Sequence, residues 1–389
     1  MGFKSKYLFL KDVFLLSTTA FGGPQAHFSY FLSLLVTKRK YITEETFIEI
    51  NALCQVLPGP TSTQTLTAIG YKIGGPTLAF LTLFVWILPS VIFMSLMAVV
   101  IDSFASRNMS LIFTRFVPAI AVGLVSYAAY VVSLKSVHTS TGIFLMIVTA
   151  VLCYFFRSSY FFPATLLIAG MITALKYKSH PEDQMQPINI NWSNFILWAT
   201  IFILAAGLGL VTKLLPIRLF ENFYRNGSLI FGGGQVLTPL LYTEFVELKH
   251  YLTSREFLSG YAVSQSIPGP TFSFSAYIGA LAMRKSGILG QLTGGFVAAL
   301  GIFLPGTFLI FFLIRFWDGL KKYRIVRASL EGITAASAGL VATTAIILFQ
   351  PLDNEPVTYA FTIGTFLLLN FTKISPAVII LLGLLLGLL

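Results

Sequence analysis

Two short motifs occur twice in this chain, and their residue types suit the binding of an anion. Phe21-Gly22-Gly23-Pro24-Gln25 returns as Phe231-Gly232-Gly233-Gly234-Gln235. Leu57-Pro58-Gly59-Pro60-Thr61 returns as Ile267-Pro268-Gly269-Pro270-Thr271, and both pairs lie 210 residues apart. Gly and Pro at this density break helices. A helix that restarts after such a break presents unpaired N–H groups and the positive end of its dipole, a ready anion site. Pro24, Pro60 and Pro270 are expected at the first helical position, where a missing N–H costs nothing. Thr61, Ser62, Thr63 and Gln64 follow one Pro-Gly-Pro tip, and Thr271 and Ser273 follow the other. Hydroxyl and amide donors at a helix start suit a tetrahedral oxyanion. Gln25 and Gln235 sit just past the Gly tips, while Gln55 and Gln265 precede the Pro-Gly-Pro tips. The expected binding set is therefore Gly22, Gly23, Gln25, Gln55, Gly59, Thr61, Ser62 and Thr63, with Gly232, Gly233, Gln235, Gln265, Gly269, Thr271 and Ser273 from the second copy. The plainer alternative is that Gly and Pro only shape hairpins while Ser and Thr cap or pack helices. Four tips at repeat-related positions favour a site.

Ionisable residues within apolar segments are costly and point to function by default. They are Asp12, His27, Glu49, Lys72, Arg115 and Glu331. His27 lies two residues past Gln25 and is the candidate for proton coupling, against a structural, hydrogen-bonded imidazole. Asp12 and Glu49 fall near hairpin ends, where a solvated role is expected. Arg115 and Glu331 are repeat-equivalent, which suggests a pair. The four tryptophans, Trp86, Trp192, Trp198 and Trp317, read as interface anchors. No phosphate-binding Gly-x-x-x-x-Gly-Lys-Ser/Thr run occurs, so the chain is not by itself an ATP-driven pump. The four His and two Cys show no ligand spacing and no disulfide framework. No metal, cofactor or enzymatic activity is expected.

The elements that must carry these tips are membrane helices. Of 389 residues 56% are apolar and 11% charged, whereas a soluble domain has about 25% charged residues. The mean hydropathy is +0.82. Apolar runs long enough to span a bilayer recur along nearly the whole length. The N-terminal basic flank is followed by no small-residue cleavage pattern, so a signal peptide is not expected; neither is myristoylation. The net charge of +11 fits a cytoplasmic excess of Lys and Arg, and it also supplies a field that gathers anions. The Lys38-Arg39-Lys40 run reads as a solvated flank rather than a nucleic-acid site.

The repeat continues beyond the motifs. Ile87-Leu88-Pro89 matches Phe303-Leu304-Pro305, and Gly123-Leu124-Val125 matches Gly339-Leu340-Val341, now 216 residues apart. We read residues 1–176 as the first repeat, 177–214 as a linker with an unpaired helix, and 215–389 as the second repeat. The fold expected is an all-α polytopic membrane protein of two homologous, inverted repeats. Its broken re-entrant hairpins meet near the midplane, where paired interruptions mark a transporter's binding site. The stretch 7–37 is ~46 Å long as one helix, against ~30 Å of hydrocarbon. As a hairpin folded at Gly22-Gly23-Pro24 it keeps the basic residues at both ends on one side. The stretch 43–75 reads likewise, and full spans follow near 77–101, 112–135, 141–156 and 159–176. With inversion, the scheme has nine full spans and four hairpins, a cytoplasmic N-terminus and an external C-terminus. Arg218, Arg225, Arg284 and Lys285 fall on the external side and run against it.

The motifs resemble those of the chromate ion transporter family in its long, two-domain form. The resemblance rests on Phe21-Gly22-Gly23-Pro24 with His27, on Cys54-Gln55 and Leu57-Pro58-Gly59-Pro60 with Ser62 and Gln64, and on the second-half Phe231-Gly232-Gly233 and Gln265 with Ile267-Pro268-Gly269-Pro270. It covers essentially the whole chain. It implies a secondary transporter that exports chromate across a prokaryotic inner membrane and so confers resistance, with sulfate as the similar competing anion. A less selective oxyanion channel or a sulfate-type carrier is the alternative. Expected partners are the oxyanion, the lipid bilayer and, as one option, a second copy of the chain; nucleic acid is not expected. The second half departs from the first in having Gly234 for Pro24 and Leu237 for His27.

Inversion makes a direct prediction. Single cysteines placed in the loops 102–110 and 316–326, on a cysteine-free background, should react with an impermeant reagent from opposite sides. Labelling of both from one side contradicts it.

Overall fold

The computed structural model describes residues 3–21, 23–106, 114–158, 161–176, 190–230, 234–315, 323–372 and 374–388. Among these residues every regular element is a helix. Helix α1 (Phe3–Thr19) breaks before the first Gly-Pro tip, and α2 (Gly23–Phe31) continues into a π-helical turn, Leu32–Lys38. Helix α3 (Glu44–Val56) leads to the first Pro-Gly-Pro tip, from which α4 (Thr61–Ser106) departs. Then come α5 (Val117–Ser136), α6 (Ser140–Phe155), α7 (Phe161–Ala174) and α8 (Ser193–Thr212).

The second repeat follows the same order. It comprises α9 (Leu215–Leu229), α10 (Gly234–Tyr242) with a π turn Thr243–Leu248, α11 (Ser254–Ser266), α12 (Phe274–Ala282) and α13 (Gly287–Leu313). The last helices are α14 (Arg324–Phe349), α15 (Pro356–Phe371) and α16 (Pro376–Leu386). Helix α8 has no counterpart in either repeat. Backbone detail repeats too: Lys40 and His250, 210 residues apart, both have a left-handed φ, of 53° and 51°.

The long α4 is one run with a kink where the sequence places Gly74-Gly75-Pro76. Gly75 has φ +75°, and Pro76 has no N–H to continue the ladder. In the second repeat the corresponding place is the 3₁₀ turn Arg284–Ser286 before Gly287 at φ +72°. The break thus begins 14 residues after the last tip proline in both repeats, at Gly74 after Pro60 and at Arg284 after Pro270.

Among the described residues, five segments are long and apolar enough to cross a membrane: Thr61–Phe104, Val117–Leu134, Ser193–Thr212, Arg284–Leu313 and Arg324–Phe349. The remaining expected crossings are shorter, with α6, α7, α15 and α16 having 16, 14, 16 and 11 residues. These fall below the ~20 residues that cross hydrocarbon unaided. Helix α8 is apolar yet mostly exposed, as a helix facing lipid is.

The helices group into two compact units that do not coincide with the repeats. One holds residues 1–109, 191–229 and 264–315, and the other holds 110–190, 230–263 and 316–389. In the first, α4 packs on α1, α3, α12 and α13, and α13 packs on α9 and α12. Small residues set the closest approach there. A Cβ on Gly279 would collide with the Gly294 carbonyl, and one on Gly294 with the Gly279 carbonyl. In the second unit α14 packs on α5, α6 and α7, and α15 on α5.

Several expectations about charged residues and tryptophans change. Arg115 pairs with Glu355 at 3.2 Å, while Glu331 accepts from the Thr139 hydroxyl. Repeat-equivalent positions therefore do not form a pair here. Asp12 is buried rather than solvated: Arg39 donates to both its oxygens at 3.0 and 2.9 Å, and Tyr41 donates at 2.6 Å. Burial, and then this bond, push the Tyr41 phenol above its ordinary range. The cluster ties α1 to the far limb of its hairpin. Arg225 is buried within α9 against Glu221 at 3.1 Å, so it is no loop charge. Trp86 is fully buried, Trp192 is exposed and Trp198 donates to Ser228 at 3.0 Å. Trp317 lies outside the described residues.

Candidate functional site

The first unit brings three of the four tips into one neighbourhood. Residues Ala20–Phe21 leave α1, Pro58-Gly59-Pro60 leave α3, and Pro268-Gly269-Pro270 leave α11. The link between the first and last of these is backbone: the Gly269 N–H donates to the Ala20 carbonyl at 3.0 Å. His27 Nε2 reaches the same carbonyl at 3.2 Å. A Cβ on Gly23 would lie 3.8 Å from the Thr271 methyl.

Each Pro-Gly-Pro tip nests against the opposite repeat. Gly59 lies where a Cβ would meet Gly306 Cα at 3.3 Å, and Gly306 directly follows Pro305 in α13. Gly269 lies where a Cβ would meet Ser90 Cβ and Oγ at 3.3 Å, and Ser90 directly follows Pro89 in α4. Positions 90 and 306 are repeat-equivalent, as are 59 and 269. Both glycines have left-handed φ, +115° and +97°, a region that side chains rarely enter. The glycine is thus required twice, for its dihedral and for the close approach.

The helix starts differ in detail. Pro60 precedes the first helical residue, and its carbonyl accepts the Gln64 N–H at 2.9 Å. Pro270, at φ −71° and ψ 128°, is likewise the cap and not the first helical residue. The expected first-position role therefore belongs to Thr61 and Thr271. Helix α4 starts as an α-helix and leaves the N–H groups of its first turn unpaired within it. The second copy starts with a 3₁₀ turn, Thr271–Ser273, whose Ser273 N–H already bonds Pro270.

The hydroxyls divide into open and engaged. Thr61 and Thr271 are half-buried at the two helix starts, and Ser62 is buried behind Thr61. Thr63 accepts the Trp86 indole N–H at 3.1 Å, and Ser273 donates to the Pro270 carbonyl at 2.7 Å. Gln55 is exposed and Gln265 half-buried in the last turns of α3 and α11. Gly22, Gly232 and Gly233 lie outside the described residues, as do the side chains of Gln25 and Gln235.

The contacts of Trp86, Gln64, Ser17 and Ser90 around the tips come from the fold: the sequence marks Gln64 as a donor after the Pro-Gly-Pro tip and Trp86 as an anchor, and gives Ser17 and Ser90 no role. The Trp86 ring sits 5.3 Å from His27, edge to face, and 5.5 Å from Phe31. Gln64 is buried and donates from Nε2 to Pro58 at 2.8 Å and to Gly306 at 3.3 Å. Ser17 and Ser90 flank Gly269. A polar residue four positions after a Pro-Gly-Pro break and a Trp three before a mid-span proline were the available signals. Among the described residues no group of three or more His, Cys, Asp or Glu is placed to hold a metal ion.

Interrupted helices in two repeats, with tips meeting inside an apolar bundle, define a polytopic membrane transporter. The chain belongs to the chromate transporter family, whose family model matches residues 8–175 and 217–388. It is 27% identical over 363 residues to a probable chromate transport protein of Synechococcus elongatus, covering 92% of this chain and 88% of the relative. It is 26% identical over 388 residues to a chromate transport protein of Cupriavidus metallidurans, covering 94% and 88%. An uncharacterized transporter of Methanocaldococcus jannaschii is 24% identical over 378 residues, covering 96% and 91%. No solved structure matches the chain.

The nest geometry is testable. Gly269→Ala should destabilise the protein by about 1–2 kcal/mol through the left-handed φ alone, read by denaturant unfolding in detergent. Gly207→Ala, in α8 with nothing within 4 Å of the new methyl, should instead be neutral or stabilise by up to about 1 kcal/mol. Equal stabilities for the two variants contradict the nest.

Proposed function

We propose that this protein is a secondary transporter that moves chromate, a tetrahedral oxyanion, out of the cell across the plasma membrane. The observation that carries the reading is the pair of Pro-Gly-Pro helix starts, each fixed by contact with the other repeat. Helix-start N–H groups and the hydroxyls of Thr61 and Thr271 are donors for oxyanion oxygens, and the helix dipole adds positive potential. A net charge of +11 works in the same direction. The names of the relatives, two of them chromate transport proteins, support the choice of anion.

Energetics favour export without an ATPase. Each negative charge that leaves a cell with a negative interior gains about 2.3 kcal/mol per 100 mV. The N-terminus is cytoplasmic and the C-terminus external in this reading, with the repeats inverted. Chromate resistance follows if efflux outpaces entry. His27, buried at the junction of two tips, is the group we assign to any pH dependence of the protein itself. Its second-repeat counterpart, Leu237, cannot titrate.

A passive anion channel uses the same donors, and uptake against a gradient in sealed vesicles separates the two. Thr61→Val and Gln55→Leu test the site. Each should weaken chromate binding by about 1.5–3 kcal/mol per hydrogen bond lost to a charged group, measured on purified protein, with insertion and folding retained. Unchanged affinity in both well-folded variants places the anion elsewhere.

A further inference from the structure

The least expected atom near the tips is an acceptor. Gln64 is 1% exposed, and its Nε2 donates to the Pro58 and Gly306 carbonyls at 2.8 and 3.3 Å. Two carbonyls on one side fix which end of the amide faces them, because Oε1 there would meet only other acceptors. Oε1 therefore points away from both, and it is buried with no hydrogen-bond partner. Buried polar atoms in folded proteins are nearly always paired. The exception calls for a donor that is not part of this chain.

Its position says which donor. Gln64 is the fourth residue of α4, and helical side chains lean back toward the N-terminus. The carboxamide accordingly lies over the helix start, with Nε2 3.1 Å from where a Gly59 Cβ would stand. An oxyanion accepting the first-turn N–H groups of Thr61 and Ser62 is the ligand that this helix start offers as the missing partner. A fully ionised oxyanion has only lone pairs to show it. A protonated one has an O–H.

We propose that Gln64 is a specificity-determining residue whose Oε1 accepts a hydrogen bond from the O–H of a protonated tetrahedral oxyanion, hydrogen chromate, held at the α4 N-terminus. This rests on the transport reading above and names the ionic form that is bound. Hydrogen chromate is present near neutral pH, whereas sulfate carries no proton there. The two anions share shape and size, so a proton is the chemical difference a site can use. Sites with a buried polar group reject ligands that leave it unpaired far more strongly than apolar pockets reject a misfit. The second repeat has Phe274 at the equivalent position, so the discrimination belongs to one helix start. One negative charge, not two, then moves with each chromate.

Other titratable groups sit on α4 and on the elements packed against it: His27 on α2, Cys54 on α3, Tyr71 and Lys72 farther along α4, Tyr277 on α12, and Asp12 and Lys11 on α1. Helix α13, Gly287–Leu313, has no charged residue.

The experiment is initial flux in proteoliposomes, with total chromate or sulfate varied at a series of pH values across neutrality. The wild type should show a chromate KM, in total chromate, that rises about tenfold per pH unit above the ionisation of hydrogen chromate. The sulfate KM should stay flat and at least about tenfold weaker. Gln64→Met should flatten the chromate profile and bring the two anions together. A sulfate KM that moves in parallel with chromate's means a protein group titrates, and overturns the proposal. A flat wild-type chromate KM overturns it too, as expected if a trapped water satisfies Oε1. If Gln64→Met does not fold, the wild-type series alone decides. Absence of flux for every oxyanion defeats the transport reading itself, whereas flux with equal, pH-independent KM values defeats only this inference.

Discussion

A helix broken inside hydrocarbon leaves backbone groups with no water to bond, and each unmet group costs several kcal/mol. Everything distinctive about this chain follows from how its breaks are satisfied. The Ala20 carbonyl, released where α1 ends, takes the Gly269 N–H and faces His27. The Pro58 carbonyl takes Gln64 Nε2. Proline at five of the tip positions, 24, 58, 60, 268 and 270, removes N–H groups that would otherwise need partners. At the first Pro-Gly-Pro tip the first turn of α4 keeps N–H groups unpaired within the helix, the donors that the proposed site uses.

The breaks also depend on each other. Gly59 seats on Gly306 beyond Pro305, and Gly269 seats on Ser90 beyond Pro89. Neither tip can shift without disturbing a span of the other repeat. Chemical equality does not accompany the symmetry. The first repeat supplies Gln64, His27 and Trp86, and the second supplies Phe274, Leu237 and Ile302 at those places. One helix start is α-helical and the other 3₁₀.

Much of this was legible in the sequence, and the physical reason is plain. Gly and Pro act locally, so the breaks at Gly59 and Gly269, the kink at Gly74-Gly75-Pro76 and the hairpin limbs around them are read from neighbours in the chain. The 210-residue spacing doubles every such signal. Long-range partners are different. Nothing local tells that Asp12 will meet Arg39 and Tyr41, or that Arg115 will choose Glu355 over Glu331. In the sequence Trp86 reads as an interface anchor, because tryptophan near a span end usually is one; its burial against His27 depends on how α2 folds back. The assignment of donors at the tips was partly legible. Residue type marks Thr63 and Ser273 as donors, but only the fold reveals that Trp86 and Pro270 already engage them.

In the proposed reading the α4 start holds the anion. The direct measurement is the position of bound chromate in an experimental structure of the protein, located by anomalous scattering from chromium. Density is expected within hydrogen-bond distance of the Thr61 and Ser62 N–H groups, beside Gln64. Density at another place, with both Pro-Gly-Pro tips in their nests and the α4 start empty, contradicts it.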